Sequence, residues 1–167
     1  MERALDAAIF MIYSLNGERC TSSSRLLVQD SIADAFEARL AERAERICVG
    51  HPLDPATTVG PLIHPVHERK VLDYIAIGRA EGATVAVGGA KVEGPGGGCY
   101  VAPTLFTGAH NQMRIAQEEI FGPVLAVQKA SSFEDAMRLA NNSQFGLSAS
   151  VQTTNISRVY EFIYGME

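Results

Sequence analysis

From Ala4 to Tyr13 the chain is apolar almost all round. A helix without a polar face is normally buried, so residues 2–15 are predicted to form a core helix. It should end near Asn16 and Gly17, a pair suited to a helix C-terminus. Residues 24–29 are short and apolar and read as a strand. A second helix is predicted from Ser31 to about Cys48, with Ser31 and Asp34 in the spacing of a capping box. Ile32, Phe36, Leu40 and Ile47 fall close to one of its faces. Residues 52–61 are a loop rich in Pro, Asp and Thr. Pro65 suits the first position of a third helix, and Gly82 stops it. Residues 84–87 read as a strand, the Gly-rich stretch 88–98 as a surface loop, and residues 100–106 and 124–128 as strands. Ser132 with Asp135 caps a helix that reaches about Asn142. Residues 147–152 read as one more strand, and a last helix begins near Asn155.

Helices thus alternate with short apolar strands, which predicts an α/β domain with a largely parallel sheet. There is no internal repeat, and no linker divides the chain. The chain starts inside an apolar helix and stops at residues 164–167, in or just after another. Domains usually end in exposed, polar segments, so this chain is expected to be part of something larger.

Composition narrows the class. The 167 residues are 47% hydrophobic and 20% charged, as in an ordinary globular domain with a sizeable core. The net charge is −5 and Lys and Arg are scattered. That argues against nucleic acid or an anionic membrane as partner, since both need clustered positive charge. No apolar run approaches the roughly 18 residues of a membrane helix. The N-terminus lacks a small-residue cleavage site, which argues against a signal peptide. The three cysteines, Cys20, Cys48 and Cys99, form no CxxC pair. Free thiols in a reducing cytoplasm are the simplest account.

Two segments carry candidate chemistry. In Asn16-Gly17-Glu18-Arg19-Cys20-Thr21-Ser22-Ser23-Ser24-Arg25, a cysteine sits in a polar turn between a buried helix and a strand. Such a mount suits a nucleophile facing a cleft, although a small buried residue is the blander reading. Cys20 follows a helix C-terminus, where the dipole does not favour a thiolate. Activation must therefore come from elsewhere, and none of His51, His64, His67 or His110 has an obvious pairing context. The second segment is Gln117-Glu118-Glu119-Ile120-Phe121-Gly122-Pro123-Val124. A carboxylate there suits the vicinal hydroxyls of a ribose, and an aromatic can pack on a planar ring. A solvated acidic pair before a strand is the alternative. There is no GxGxxG and no phosphate loop; residues 94–98 have no helix after them. No regular Cys/His spacing suggests a metal.

Together these segments resemble the aldehyde dehydrogenase superfamily. NGERCTSSSR resembles the family's nucleophile segment and EEIFGPV its second signature, in the family's order and separation. Val49-Gly50-His51-Pro52-Leu53-Asp54, Gly60-Pro61-Leu62-Ile63, Ala102-Pro103-Thr104-Leu105 and Leu139-Ala140-Asn141-Asn142 add to it. The resemblance covers nearly the whole chain and weakens after about Gln152. It implies the family's three-layer catalytic domain, with a largely parallel sheet flanked by helices. Residues 1–167 would be part of that domain, and the dinucleotide-binding domain would be absent. Cys20 matches the catalytic nucleophile, with its own N–H as one oxyanion donor. Glu119 matches the carboxylate on the nicotinamide ribose, Phe121 the aromatic beside the nicotinamide, and Glu18 a position near the substrate pocket. The implied cofactor is NAD, or NADP, with no metal. The implied partners are a small aldehyde and further copies of the chain.

The family's general-base glutamate and oxyanion-hole asparagine lie in segments that precede the residues matched here. SLNGERCT, GPLIHP and MRIAQEEIFGPV most resemble members that oxidise semialdehydes in aromatic breakdown. The expected reaction is oxidation of such an aldehyde to a carboxylate through a Cys20 thioester, within a longer parent enzyme. Two other readings stay open: a catalytically silent fragment or interaction module, and a cofactor-independent cysteine hydrolase or acyltransferase.

Overall fold

The computed structural model describes residues 1–167. Helix α1 spans Glu2–Tyr13, β1 Arg25–Gln29, α2 Asp30–Glu45, α3 Pro65–Ala80 and β2 Thr84–Val87. They are followed by β3 Lys91–Val92, β4 Tyr100–Val101, β5 Thr104–Thr107, α4 Arg114–Gln117, β6 Val124–Ala130, α5 Phe133–Asn141 and α6 Ile156–Gly165. The main sheet runs in the order β1-β6-β5-β2. The β1–β6 and β6–β5 pairs are parallel, and β2 is antiparallel to β5 at one edge. This is the α/β class with a mainly parallel sheet that the alternation predicts.

Period-two alternation on β5 and β6 divides the core into two layers. Leu105, Leu125 and Val127 face one side and pack with Leu5, Ala8, Ile12 and Tyr13 of α1 and Ala33, Phe36, Leu40 and Ala44 of α2. Phe106, Val124 and Ala126 face the other and pack with Val71 and Ile75 of α3 and Ile115 of α4. Helices therefore flank both faces of the sheet.

Several predicted elements shift, each for a local reason. Helix α1 is not buried all round: one stripe is, while Phe10 stays 61% exposed under the Arg19 guanidinium. The helix stops at Tyr13, because Leu15, Asn16 and Gly17 adopt left-handed backbone angles. Helix α2 starts at Asp30, so Ser31 lies inside it and forms no capping box. Asp34 instead pairs with Lys129 at 2.5 Å. The buried face of α2 is Ala33, Phe36, Leu40 and Ala44, and Ile32 is 46% exposed. The stretch 100–106 splits at Ala102 and Pro103. Pro103 has no N–H for a ladder, so β4 pairs with β3 in a separate hairpin while β5 joins the main sheet. Residues 147–152 form no strand; they are largely exposed and join no sheet. The predicted starts at Pro65, Ser132 and Asn155 hold; the side chains of His64, Ser132 and Asn155 each accept a backbone N–H of the helix that follows.

Candidate functional site

The Cys20 segment is shaped by the end of α1. Three successive left-handed residues, Leu15, Asn16 and Gly17, turn the chain back on itself. Asn16 fixes the turn from outside: its Oδ1 accepts the Gly60 N–H at 2.8 Å and its Nδ2 donates to the Pro61 carbonyl at 3.0 Å. Arg19 does not approach the thiol. Its Nη2 donates to the Met11 carbonyl at 3.2 Å, and its guanidinium lies over the Phe10 ring. A turn closed by the Ser22 N–H on the Arg19 carbonyl then leaves Cys20 exposed at its apex. No side chain hydrogen-bonds to Cys20, and its own backbone N–H has no partner within the chain. Arg25 is turned away too, donating to Asn111 and to the Leu139 and Ala140 carbonyls.

The Glu18 side chain is largely buried. Its Oε1 accepts the Ile63 N–H at 3.0 Å and lies 3.5 Å from His67 Nε2. The carboxylate is thus aimed at the segment leading into α3.

The second segment meets the first through backbone. A side chain on Gly17 would place its Cβ 2.1 Å from the Gly122 carbonyl oxygen, so only glycine permits this approach. Gly122 in turn lies against Val71 of α3, where an added Cβ would come within 2.6 Å. The two acids of the segment have different surroundings. Glu118 accepts two hydrogen bonds from Arg114, at 2.7 and 2.8 Å, and one from Tyr74, at 2.7 Å. Those bonds, Arg114 first, hold its carboxyl down at about 2. The same bond to Glu118 raises the Tyr74 hydroxyl. Glu119 is exposed and pairs with no cation. Phe121 has a φ of 61°, unusual for a bulky residue. Its carbonyl accepts from His67 Nε2 at 2.6 Å, and the two rings meet edge to face at 6.3 Å.

The fold therefore brings Glu18 and Phe121 to a common neighbour, His67, and sets the Cys20 and Glu119–Phe121 segments side by side through Gly17 and Gly122. The role of His67 is not visible in the sequence, since its partner carbonyl lies 54 residues away. A separate groove of about 470 Å³ runs along α1, lined by Phe10, Tyr13, Leu15 and Arg19, and includes none of Cys20, Glu18, Glu119 or Phe121. No group of three or more His, Cys, Asp and Glu side chains is arranged to hold a metal ion.

Comparison with known proteins defines the class. The aldehyde dehydrogenase family model matches residues 1–167, and the chain belongs to that family. Among curated relatives, the 5-carboxymethyl-2-hydroxymuconate semialdehyde dehydrogenase of Escherichia coli is 45% identical over 172 residues, spanning 100% of this chain and 36% of that protein. A betaine aldehyde dehydrogenase of Mesorhizobium japonicum is 41% identical, over 98% of this chain and 34% of its own length. The crystal structure of HpcC from Thermus thermophilus superimposes with a TM-score of 0.96 at 49% identity, covering 99% of this chain and 33% of that one. An indole-3-acetaldehyde dehydrogenase in complex with NAD+ gives 0.94 at 44% identity, over 98% and 33%. The chain thus spans about a third of the length of the relatives it matches.

Proposed function

We propose that this chain supplies the nucleophile-bearing part of an NAD-dependent dehydrogenase that oxidises a semialdehyde of aromatic breakdown to its carboxylate. The single observation that carries the reading is an exposed cysteine, mounted on a rigid turn, in backbone contact with a segment that presents an unpaired carboxylate and an aromatic ring. The similarity to a semialdehyde dehydrogenase supports the substrate class.

In this reading the Cys20 thiolate attacks the aldehyde carbon, forming a C–S bond and a tetrahedral oxyanion. The free Cys20 N–H is one donor to that oxyanion. Glu119, exposed and unpaired, suits the two hydroxyls of a nicotinamide ribose, and Phe121 the adjacent ring. NAD, when bound, supplies the acceptor for the hydride that the adduct loses on becoming a thioester. Water then cleaves the C–S bond, with proton transfer to a general base. Glu18, held by the Ile63 N–H beside the Cys20 turn, suits a position near the substrate pocket.

The thiol has no hydrogen-bonded imidazole, which argues against a cofactor-independent hydrolase. No carboxylate or amine hydrogen-bonds to it either. That favours a second reading for the chain taken alone, a catalytically silent segment. Incubation of the chain with NAD and an aldehyde tests that silence, because robust NADH production would refute it. In a longer protein carrying this segment, Cys20→Ala is expected to lower dehydrogenase turnover by about a thousandfold or more. Retained turnover would overturn the mechanism. The three free thiols fit a reducing compartment, and the cytoplasm is the proposed location.

A further inference from the structure

The turn at Phe121 poses a physical question. A bulky residue in the left-handed region is strained, by about 1–2 kcal/mol, and persists only where its surroundings over-determine it. Gly122, on one side of it, is already pressed against Val71. The group that holds the Phe121 carbonyl is His67.

His67 is well placed to hold something. It lies in the first turn of α3, whose start is fixed by Pro65 and by His64 Nδ1 accepting the Val66 N–H at 3.1 Å. Its own backbone N–H donates to the His64 carbonyl at 2.9 Å. The imidazole is largely buried, with 16% of the side chain exposed. A carbonyl oxygen only accepts, so the 2.6 Å contact requires the proton on Nε2. The same Nε2 lies 3.5 Å from Glu18 Oε1, another acceptor. One N–H therefore sits between acceptors on the two segments that carry the candidate chemistry. Glu18 is anchored in the same place by the Ile63 N–H, just before α3.

We infer that His67 is a positioning residue: its Nε2–H latches the Phe121 carbonyl to α3 and so holds the Glu119–Phe121 segment in register with the Glu18–Cys20 turn. Its meaning for catalysis rests on the function proposed above. The latch itself does not, because its backbone geometry exists without substrate or cofactor.

Two substitutions separate the donor from mere bulk. His67→Gln keeps an N–H at similar reach, whereas His67→Phe keeps a ring without a donor. Hydrogen exchange is read in the peptide covering residues 118–124. Alkylation of Cys20 by iodoacetamide is read relative to the exposed Cys48 in the same sample. His67→Phe is expected to speed exchange in that peptide by about tenfold, the factor one net hydrogen bond is worth, and to change the Cys20 to Cys48 ratio. His67→Gln is expected to restore both. Exchange in His67→Phe that matches the unsubstituted chain would overturn the inference, and so would a His67→Gln variant as loose as His67→Phe.

If His67→Phe does not fold, the tautomer still decides. Nitrogen NMR of the unsubstituted chain is expected to show the His67 proton on Nε2, and an Nδ1–H tautomer would overturn the latch. None of these readouts needs turnover. A failed latch therefore leaves the role of Cys20 untouched, and a silent Cys20 leaves the latch standing.

Discussion

Gly17 shows how much of the site depends on one missing side chain. Its φ is 67° and its Cα faces the Gly122 carbonyl at a separation that admits no Cβ. Gly17→Ala is expected to destabilise the fold by about 2 kcal/mol or more, the left-handed penalty plus displacement of the Gly122 backbone. A urea titration checks the magnitude. Faster exchange in both residues 16–20 and 118–124 checks that the two segments separate together. A smaller loss, confined to residues 16–20, would show that the contact does not couple them. Gln128 predicts the opposite sign. It is 2% exposed on β6, and both atoms of its amide lack a hydrogen-bond partner. A buried, unmatched polar group costs about 1–3 kcal/mol. Gln128→Met, nearly equal in volume and without the amide, is expected to raise stability by about 1–2 kcal/mol. A lower denaturation midpoint would contradict the assignment of an unpartnered amide.

At the scale of elements, the short helix α4 matters through what it clamps. Arg114 leads α4 and grips Glu118 just past its end, while Tyr74 reaches Glu118 from α3. Neighbouring Glu119 is thereby carried on a segment pinned at Glu118. The carboxyl of Glu118 lies at about 2 against an ordinary 4.5, so folding favours its ionised form. Its contribution is therefore present above about pH 4.5 and is lost as pH falls towards 2. The pair is partly exposed, so added salt should weaken the effect. Arg114→Ala is expected to return the Glu118 titration, followed by side-chain NMR, towards the ordinary carboxylate range. An unchanged titration would assign the depression to Tyr74 alone.

Elements were legible from the chain where the signal is local. Pro65, Ser132 and Asn155 mark helix starts with their own side chains or rings, and all three hold. Legibility fails where the outcome depends on a partner. Residues 147–152 have strand composition, but a strand exists only against a neighbouring ladder. At 100–106 the apolar run hides that Pro103 sends its two halves to different sheets. The candidate site divides in the same way. Cys20 and the EEIFGPV segment stand out as candidates from local residues, whereas the meeting of their segments at Gly17 and Gly122 and the contact of His67 with Glu18 and Phe121 are long-range facts.

For the whole molecule, the uneven distribution of burial predicts behaviour in solution. The core lies between α1, α2, α3 and the sheet, while α6 buries no residue fully. Ile156, Tyr160, Ile163 and Tyr164 are 67%, 56%, 59% and 84% exposed. They fall at spacings of four, seven and eight from the first, which is one apolar stripe on a helix. Phe145 and Leu147 extend the exposed apolar surface, and β1 forms an edge of the main sheet. An apolar patch of this kind favours association, and for the chain taken alone the surface it meets is a second copy. Light scattering should show mass rising with concentration. Replacing Tyr160, Ile163 and Tyr164 together by Lys is expected to suppress that rise while leaving the thermal midpoint nearly unchanged, since the stripe contributes little to the core. If the triple variant still associates, the contact lies elsewhere, on the β1 edge or the surface of Phe145 and Leu147. If the unsubstituted chain stays monomeric at every concentration, the stripe does not drive assembly.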